Sequence, residues 1–350
     1  MGSACEVTAI SGTWVWVAFN ALVLALLALD LGVFHRRAHA VRPKEAAVWV
    51  AAWAALAVAF GIGIFLARGS QAGLEFFAGY LVEQALSVDN IFVFILIFSS
   101  FGVAPQYQHR VLFWGIVGAL VMRGVMIGAG AFLIEQVHWV TYVFGGFLIV
   151  TAVRMARQKE GGIAPEANPV IRMLRRIVPL TKRYHGHRFI VRRGRRWAAT
   201  PLLLVLVLLE TTDVVFAVDS IPAVFGVTRD PFIVYTSNVF AILGLRSLYF
   251  VLAGVIGRFH FLKLGLSAIL AFVGAKMVLA EVYHVPIGAS LAVIAGVLAA
   301  AVAASFLFPR RAAAHSPVEH DPLGPGTRLI ELPVPGDPSR RPRPVNREGV

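Results

Sequence analysis

The chain has 350 residues, of which 58% are apolar and 15% charged, and its mean hydropathy is +0.75. That composition excludes an ordinary soluble globular domain and places the chain in a membrane as an all-α polytopic protein. The formal net charge of +13 would suit nucleic acid, but most basic residues lie in loops between apolar stretches, where they set topology and meet anionic lipid, so no nucleic-acid partner is expected.

Nine stretches are long enough to cross a hydrocarbon core of about 30 Å: residues 14–34, 47–66, 74–101, 111–134, 138–153, 200–225, 232–256, 261–280 and 287–308. The first has no basic residue before it and no convincing small-residue cleavage site, so it reads as a retained helix rather than a signal peptide. The single cysteine, Cys5, precedes it, and CxxC and Cys/His zinc spacings do not occur, which sets thiol chemistry aside. The organisation in chain order is an extracytoplasmic N-terminus (1–13), two spans (14–73), a three-helix unit (74–156), a basic loop (157–199), a second three-helix unit (200–281), a ninth span (282–308) and a tail (309–350). The tail is rich in Pro, Arg and Gly and poor in aromatics, a composition expected to be disordered.

Positive charge orients these spans. Arg36, Arg37, Arg42, Lys44, Arg110, the arginines between Arg154 and Arg196, Arg258, Lys263, Arg310 and Arg311 fall on one side, against Arg68 and Arg229 on the other. The positive-inside rule then puts the N-terminus outside and the C-terminus in the cytoplasm of a plasma membrane. The loop containing KRYHGHRFIVRRGRRW (182–197) reads first as a topology-setting, lipid-facing segment, with a regulatory or secretory-partner role as the alternative.

The third to fifth spans resemble the sixth to eighth. Glu83 and Asp89 are separated as Asp213 and Asp219 are, and VDNI (88–91) matches VDSI (218–221). Arg123 in LVMRGVM matches Arg246 in LGLRSLY; His138 and Arg154-Met155 match His260 and Lys276-Met277. An odd number of helices per unit inverts the second copy, giving an inverted 3+3 repeat, an architecture that places substrate sites near the midplane. The third and sixth spans would face each other across the pseudo-twofold axis.

Asp30, Glu83, Asp89, Glu210, Asp213 and Asp219 lie within these apolar stretches. A carboxylate at the centre of a span costs about 2.5–3.5 kcal/mol on insertion scales, and such residues are usually retained for ions or protons. Arg123 and Arg246 are candidate charge partners, but the carboxylates outnumber them, and the surplus calls for a cation. Oxygen ligands without cysteine favour a hard ion such as Mg²⁺, Mn²⁺ or Ca²⁺, and Ser87, Asn90, Thr211, Thr212 and Ser220 add neutral oxygens. Asp30, near the cytoplasmic end of its span, reads equally as an entrance ligand or an interfacial acid. Helix termini account for Arg154 and Lys276, and interfacial positions for His138 and His260.

A gap of six turns an ideal helix by about 600°, so Glu83 and Asp89 cannot share a face. Glu83, Ser87 and Asn90 can, at i, i+4 and i+7, as can Asp213, Ala217 and Ser220, with Glu210 joining them at i−3. Either two faces of each helix are used or the helix is interrupted near the aspartate, and Pro222 favours a break in the sixth span.

The segments EQALSVDNIFVF (83–94), LLETTDVVFAVDSIPAVFGVTRDPFIVYTSNVFAILGLRSLYF (208–250) and LALDLGVFHRRAH (27–39) resemble the signature segments of the TerC family, which includes the Alx-type proteins, across roughly residues 14–308. The resemblance implies an integral membrane protein related to the LysE transporter superfamily, implicated in manganese export and in supplying metal to secreted enzymes. It implies metal-path roles for Glu83, Asp89, Asn90, Glu210, Asp213, Asp219, Ser220 and Asp30. The family name refers to tellurium, but an acidic site would repel a tellurium oxyanion. The expectation is thus a non-enzymatic Mn²⁺ exporter without an organic cofactor, with protons as a candidate counter-ion. Its rivals are a membrane scaffold handing metal to secretory machinery through 157–199, and an intramembrane hydrolase with Asp89 and Asp219 as a dyad.

Overall fold

The computed structural model describes residues 12–29, 43–137, 139–157, 180–181, 188–193, 196–253, 261–280, 282–283, 285–308 and 329–330. The described residues form nine α-helices: α1 (Thr13–Leu29), α2 (Pro43–Arg68), α3 (Ser70–Ser100), α4 (Pro105–Gln136), α5 (Val140–Arg157), α6 (Pro201–Phe225), α7 (Pro231–Leu252), α8 (Leu262–Val278) and α9 (Ile287–Leu307). Each corresponds to one of the nine expected spans. Seven are long and apolar enough to cross a membrane, while α1 and α8 are described over 17 residues each, about 25 Å of helix. The chain is therefore an all-α polytopic membrane protein. Asp30, His138, His260, Arg36, Arg37, Arg42, Arg258 and most of the basic loop and tail lie outside the described residues.

Helix starts follow local chemistry. Pro105, Pro201 and Pro231 open α4, α6 and α7, where proline's missing N–H costs nothing. Asp230 caps α7, its carboxylate accepting from the backbone N–H of Phe232 at 2.9 Å and of Ile233 at 3.4 Å. The same carboxylate accepts from Arg68 at 2.9 Å, pinning the end of α2 to the start of α7, and the guanidinium stacks over Phe232.

Burial identifies the hub. Of the apolar stretch of α7, 89% is buried, against 17% for α9, so α7 runs through the protein interior while α9 offers most of its surface to lipid. Around α7 pack α2, α3 and α4; α3 also packs on α6, α4 on α6, and α5 on α8. Exchanging α3, α4 and α5 for α6, α7 and α8 carries the α3–α7 pairing onto α6–α4 and returns α3–α6, α4–α7 and α5–α8 to themselves. Aromatic rings of Phe19, Phe60, Phe76 and Phe240 weld α1 and α2 to α3 and α7.

Two glycines set the crossing of α5 and α8. A Cβ on Gly145 of α5 would lie 2.8 Å from the carbonyl oxygen of Gly274 on α8, and one on Gly274 would lie 2.7 Å from that of Gly145. Only glycine lets these backbones meet.

Two expectations change. Helix α6 is continuous from Pro201 to Phe225, with Pro222 inside it three residues from its end; no break occurs beside Asp213 or Asp219, although proline has no N–H to donate to the carbonyl of Val218. The polar regions also contribute a small four-stranded sheet, ordered β2-β3-β1-β4, made of β1 (Leu180–Thr181), β2 (Ile190–Arg193), β3 (Arg196–Ala199) and β4 (Leu329–Ile330). Two residues of the tail, expected to be disordered throughout, thus pair in parallel with the loop. Short strands of this kind leave little periodic signal in a sequence.

Candidate functional site in the bundle core

Helices α3 and α6 lie against each other with their acidic faces inward. The spacing that aligns Glu83, Ser87 and Asn90 on α3, and Asp213, Ala217 and Ser220 on α6, puts all six side chains in the interior: Glu83 is 0%, Ser87 1%, Asn90 3%, Asp213 4%, Ala217 0% and Ser220 1% exposed. The Ser220 hydroxyl lies beside Glu83 but outside hydrogen-bond geometry.

Arg123 of α4 enters this interface and joins both carboxylates. One terminal nitrogen donates to Glu83, and Nε and the other terminal nitrogen fork onto Asp213 at 3.4 and 3.3 Å. Asn238 of α7 completes the cluster, accepting from Arg123 at 3.2 Å and donating to the second oxygen of Glu83 at 3.0 Å. Four helices therefore meet on one buried network, near the middle of each. Two carboxylates against one guanidinium leave a formal charge of −1, in a place where an uncompensated charge is expensive. Asn238 was not singled out from the sequence, although a lone Asn inside the apolar stretch 232–256 was the available signal.

Around the network several buried polar atoms have no hydrogen-bond partner: Gln84 Oε1, Ser87 Oγ, Asn90 Nδ2 and Ser220 Oγ. Orphaned atoms are uncommon in a folded interior and mark a place for a ligand or water. All four lie on α3 or α6.

The remaining candidates form separate groups. Asp89 and Asp219 are half-buried and within electrostatic reach of each other. Asp89 also faces Lys263 of α8, while Asp219 faces Arg154 and accepts from the Thr151 hydroxyl of α5 at 3.2 Å. Glu83 and Asp89 thus serve two different faces of one unbroken helix. Glu210, half-buried, presses its carboxylate onto Gly118 of α4, where any Cβ would collide with it. A gap of about 20 Å³ lined by Glu210, Asp213 and Arg246 separates it from the core network, room for one water-sized occupant. Among the described residues no three His, Cys, Asp or Glu side chains converge closely enough to hold a metal, so the expected ligands are distributed along the interface rather than gathered in one cage.

At one end of the bundle a cavity of about 1310 Å³ opens between the start of α3, the ends of α4, α6 and α8 and the starts of α5 and α9. Glu75, Glu135, Arg229 and Lys276 line it, and Thr228 donates to Glu75 across it.

These features define a polytopic membrane protein with a buried carboxylate–arginine network between its central helices. The chain belongs to the integral membrane protein TerC family, whose profile matches residues 68–313. Its sequence is 52% identical over 297 residues to an uncharacterised membrane protein of Myxococcus xanthus, covering 85% of this chain and 93% of that one. It is 47% identical over 293 residues (81% of this chain, 92% of the relative) to a Photorhabdus laumondii protein that carries the provisional name of membrane-bound redox modulator Alx. An Escherichia coli K12 protein of the same name is 46% identical over 294 residues, or 81% of this chain and 91% of the relative. No solved structure matches the chain.

Proposed function

We propose that the protein is a plasma-membrane transporter that exports a divalent cation, Mn²⁺ foremost, through the interface of α3 and α6, with its N-terminus outside and its C-terminus cytoplasmic. The observation that carries the reading is the buried strip of acidic and unpartnered polar side chains running along that interface, Glu83, Ser87 and Asn90 against Asp213 and Ser220. Hard oxygen donors without thiolates suit Mn²⁺ or Mg²⁺ rather than softer ions. Related as inverted units, α3–α5 and α6–α8 would rock about the α3–α6 contact and expose the strip to each side in turn. In that orientation the large cavity opens outward.

The redox-modulator name borne by the relatives does not transfer easily. The 350 residues contain one cysteine, so an intrachain dithiol–disulfide couple is not available.

The test is efflux from bacterial cells preloaded with Mn²⁺. Cells expressing the wild type should lose Mn²⁺ faster than cells expressing Glu83→Gln or Asp213→Asn at equal membrane abundance. Equal loss from all three would remove the transport reading and favour a scaffold that hands metal to exported proteins.

A further inference from the structure

We propose that Arg123 is a tethered counter-ion that occupies the cargo's place: its guanidinium holds Glu83 and Asp213 together when no cation is bound, and the arriving cation displaces it. The inference rests on the transport reading and deepens it.

Three observations support it. First, Arg123 sits between the two carboxylates rather than on one of them, pairing with Glu83 on α3 and forking onto Asp213 on α6. These two carboxylates hold matching positions in the similar segments of the chain, so whatever bridges them bridges α3 to α6. A divalent ion between them would make the same bridge from oxygen ligands.

Second, the arrangement leaves the neutral ligands idle. Ser87 Oγ on the strip has no hydrogen-bond partner, and Ser220 Oγ adjoins Glu83. A guanidinium has only donors and no acceptor, and it uses carboxylate and amide oxygens here, leaving the hydroxyl lone pairs unspent. A cation in place of the guanidinium would use them.

Third, the charge of the acid pair itself favours exchange. Glu83 and Asp213 with Arg123 carry −1; a divalent ion added beside Arg123 would bring the site to +1, whereas one replacing it brings the site to neutrality. Exchange also answers a transporter's need to cross the membrane empty, because Arg123 keeps the acidic core compensated when the cation is gone.

The test uses the full-length protein in lipid nanodiscs and the electron paramagnetic resonance signal of free Mn²⁺, with flux measured in parallel. Arg123→Gln removes the competitor, so Mn²⁺ should bind about tenfold more tightly or better, while flux falls because the empty carrier no longer returns. Arg123→Lys keeps the charge, but its compact ammonium cannot fork across both carboxylates; it should also tighten binding, by less, and it serves if the glutamine variant does not fold. Unchanged or weaker Mn²⁺ binding in folded variants, beside a wild type that transports, would overturn the exchange and leave Arg123 a structural partner. A wild type that neither binds nor transports Mn²⁺ would overturn the transport reading and the exchange together.

Discussion

Asn238 is the residue on which the core network most depends without carrying charge. It is 1% exposed and satisfies Arg123 and Glu83 at once, so Asn238→Leu should leave two buried partners short of a hydrogen bond. The expected cost is about 1–2 kcal/mol, read as a lower melting temperature of the detergent-solubilised protein; an unchanged melting temperature would mean the network is not formed. The sequence made the acids legible because a carboxylate in an apolar run is conspicuous, and Glu83, Asp213, Asn90 and Ser220 all proved buried. Pairing was less legible: Arg123 could be named as a charge partner, but that it forks across two helices depends on side-chain reach, which no spacing reports. Asn238 was less legible because, unlike Asn90 beside Asp89, it has no carboxylate next to it in the chain to draw attention to it.

At the scale of elements, the α5–α8 crossing is the sharpest feature. Gly145 and Gly274 bring the two backbones together, whereas Gly146, one residue away, has open space where a Cβ would go. Gly145→Val should therefore separate α5 from α8 and cost about 1–3 kcal/mol, lowering the yield of folded protein on size-exclusion chromatography, while Gly146→Ala should elute as wild type does. Matching losses from both substitutions would contradict the crossing. The helices themselves were readable from apolar length, and all nine appear. Their continuity was not, because Pro222 looks the same in sequence whether it breaks a helix or sits in its last turn. The strands at 180–181 and 329–330 escaped notice since two residues are too few for any period, and their pairing joins positions far apart in the chain.

For the whole molecule, the proposed orientation rests on the distribution of arginines between the two sets of loops. A C-terminal fluorescent protein should glow when fused to this chain, and a C-terminal alkaline phosphatase should stay inactive; the reverse would invert the proposed direction of the outward cavity. The central claim is that a divalent cation crosses along the α3–α6 interface. Its most direct test is Mn²⁺ flux in proteoliposomes of the purified protein, comparing wild type with Glu83→Gln and Asp213→Asn under an imposed pH gradient. Flux by the wild type that both variants lose is the predicted result, and a wild type that binds Mn²⁺ without moving it would contradict transport.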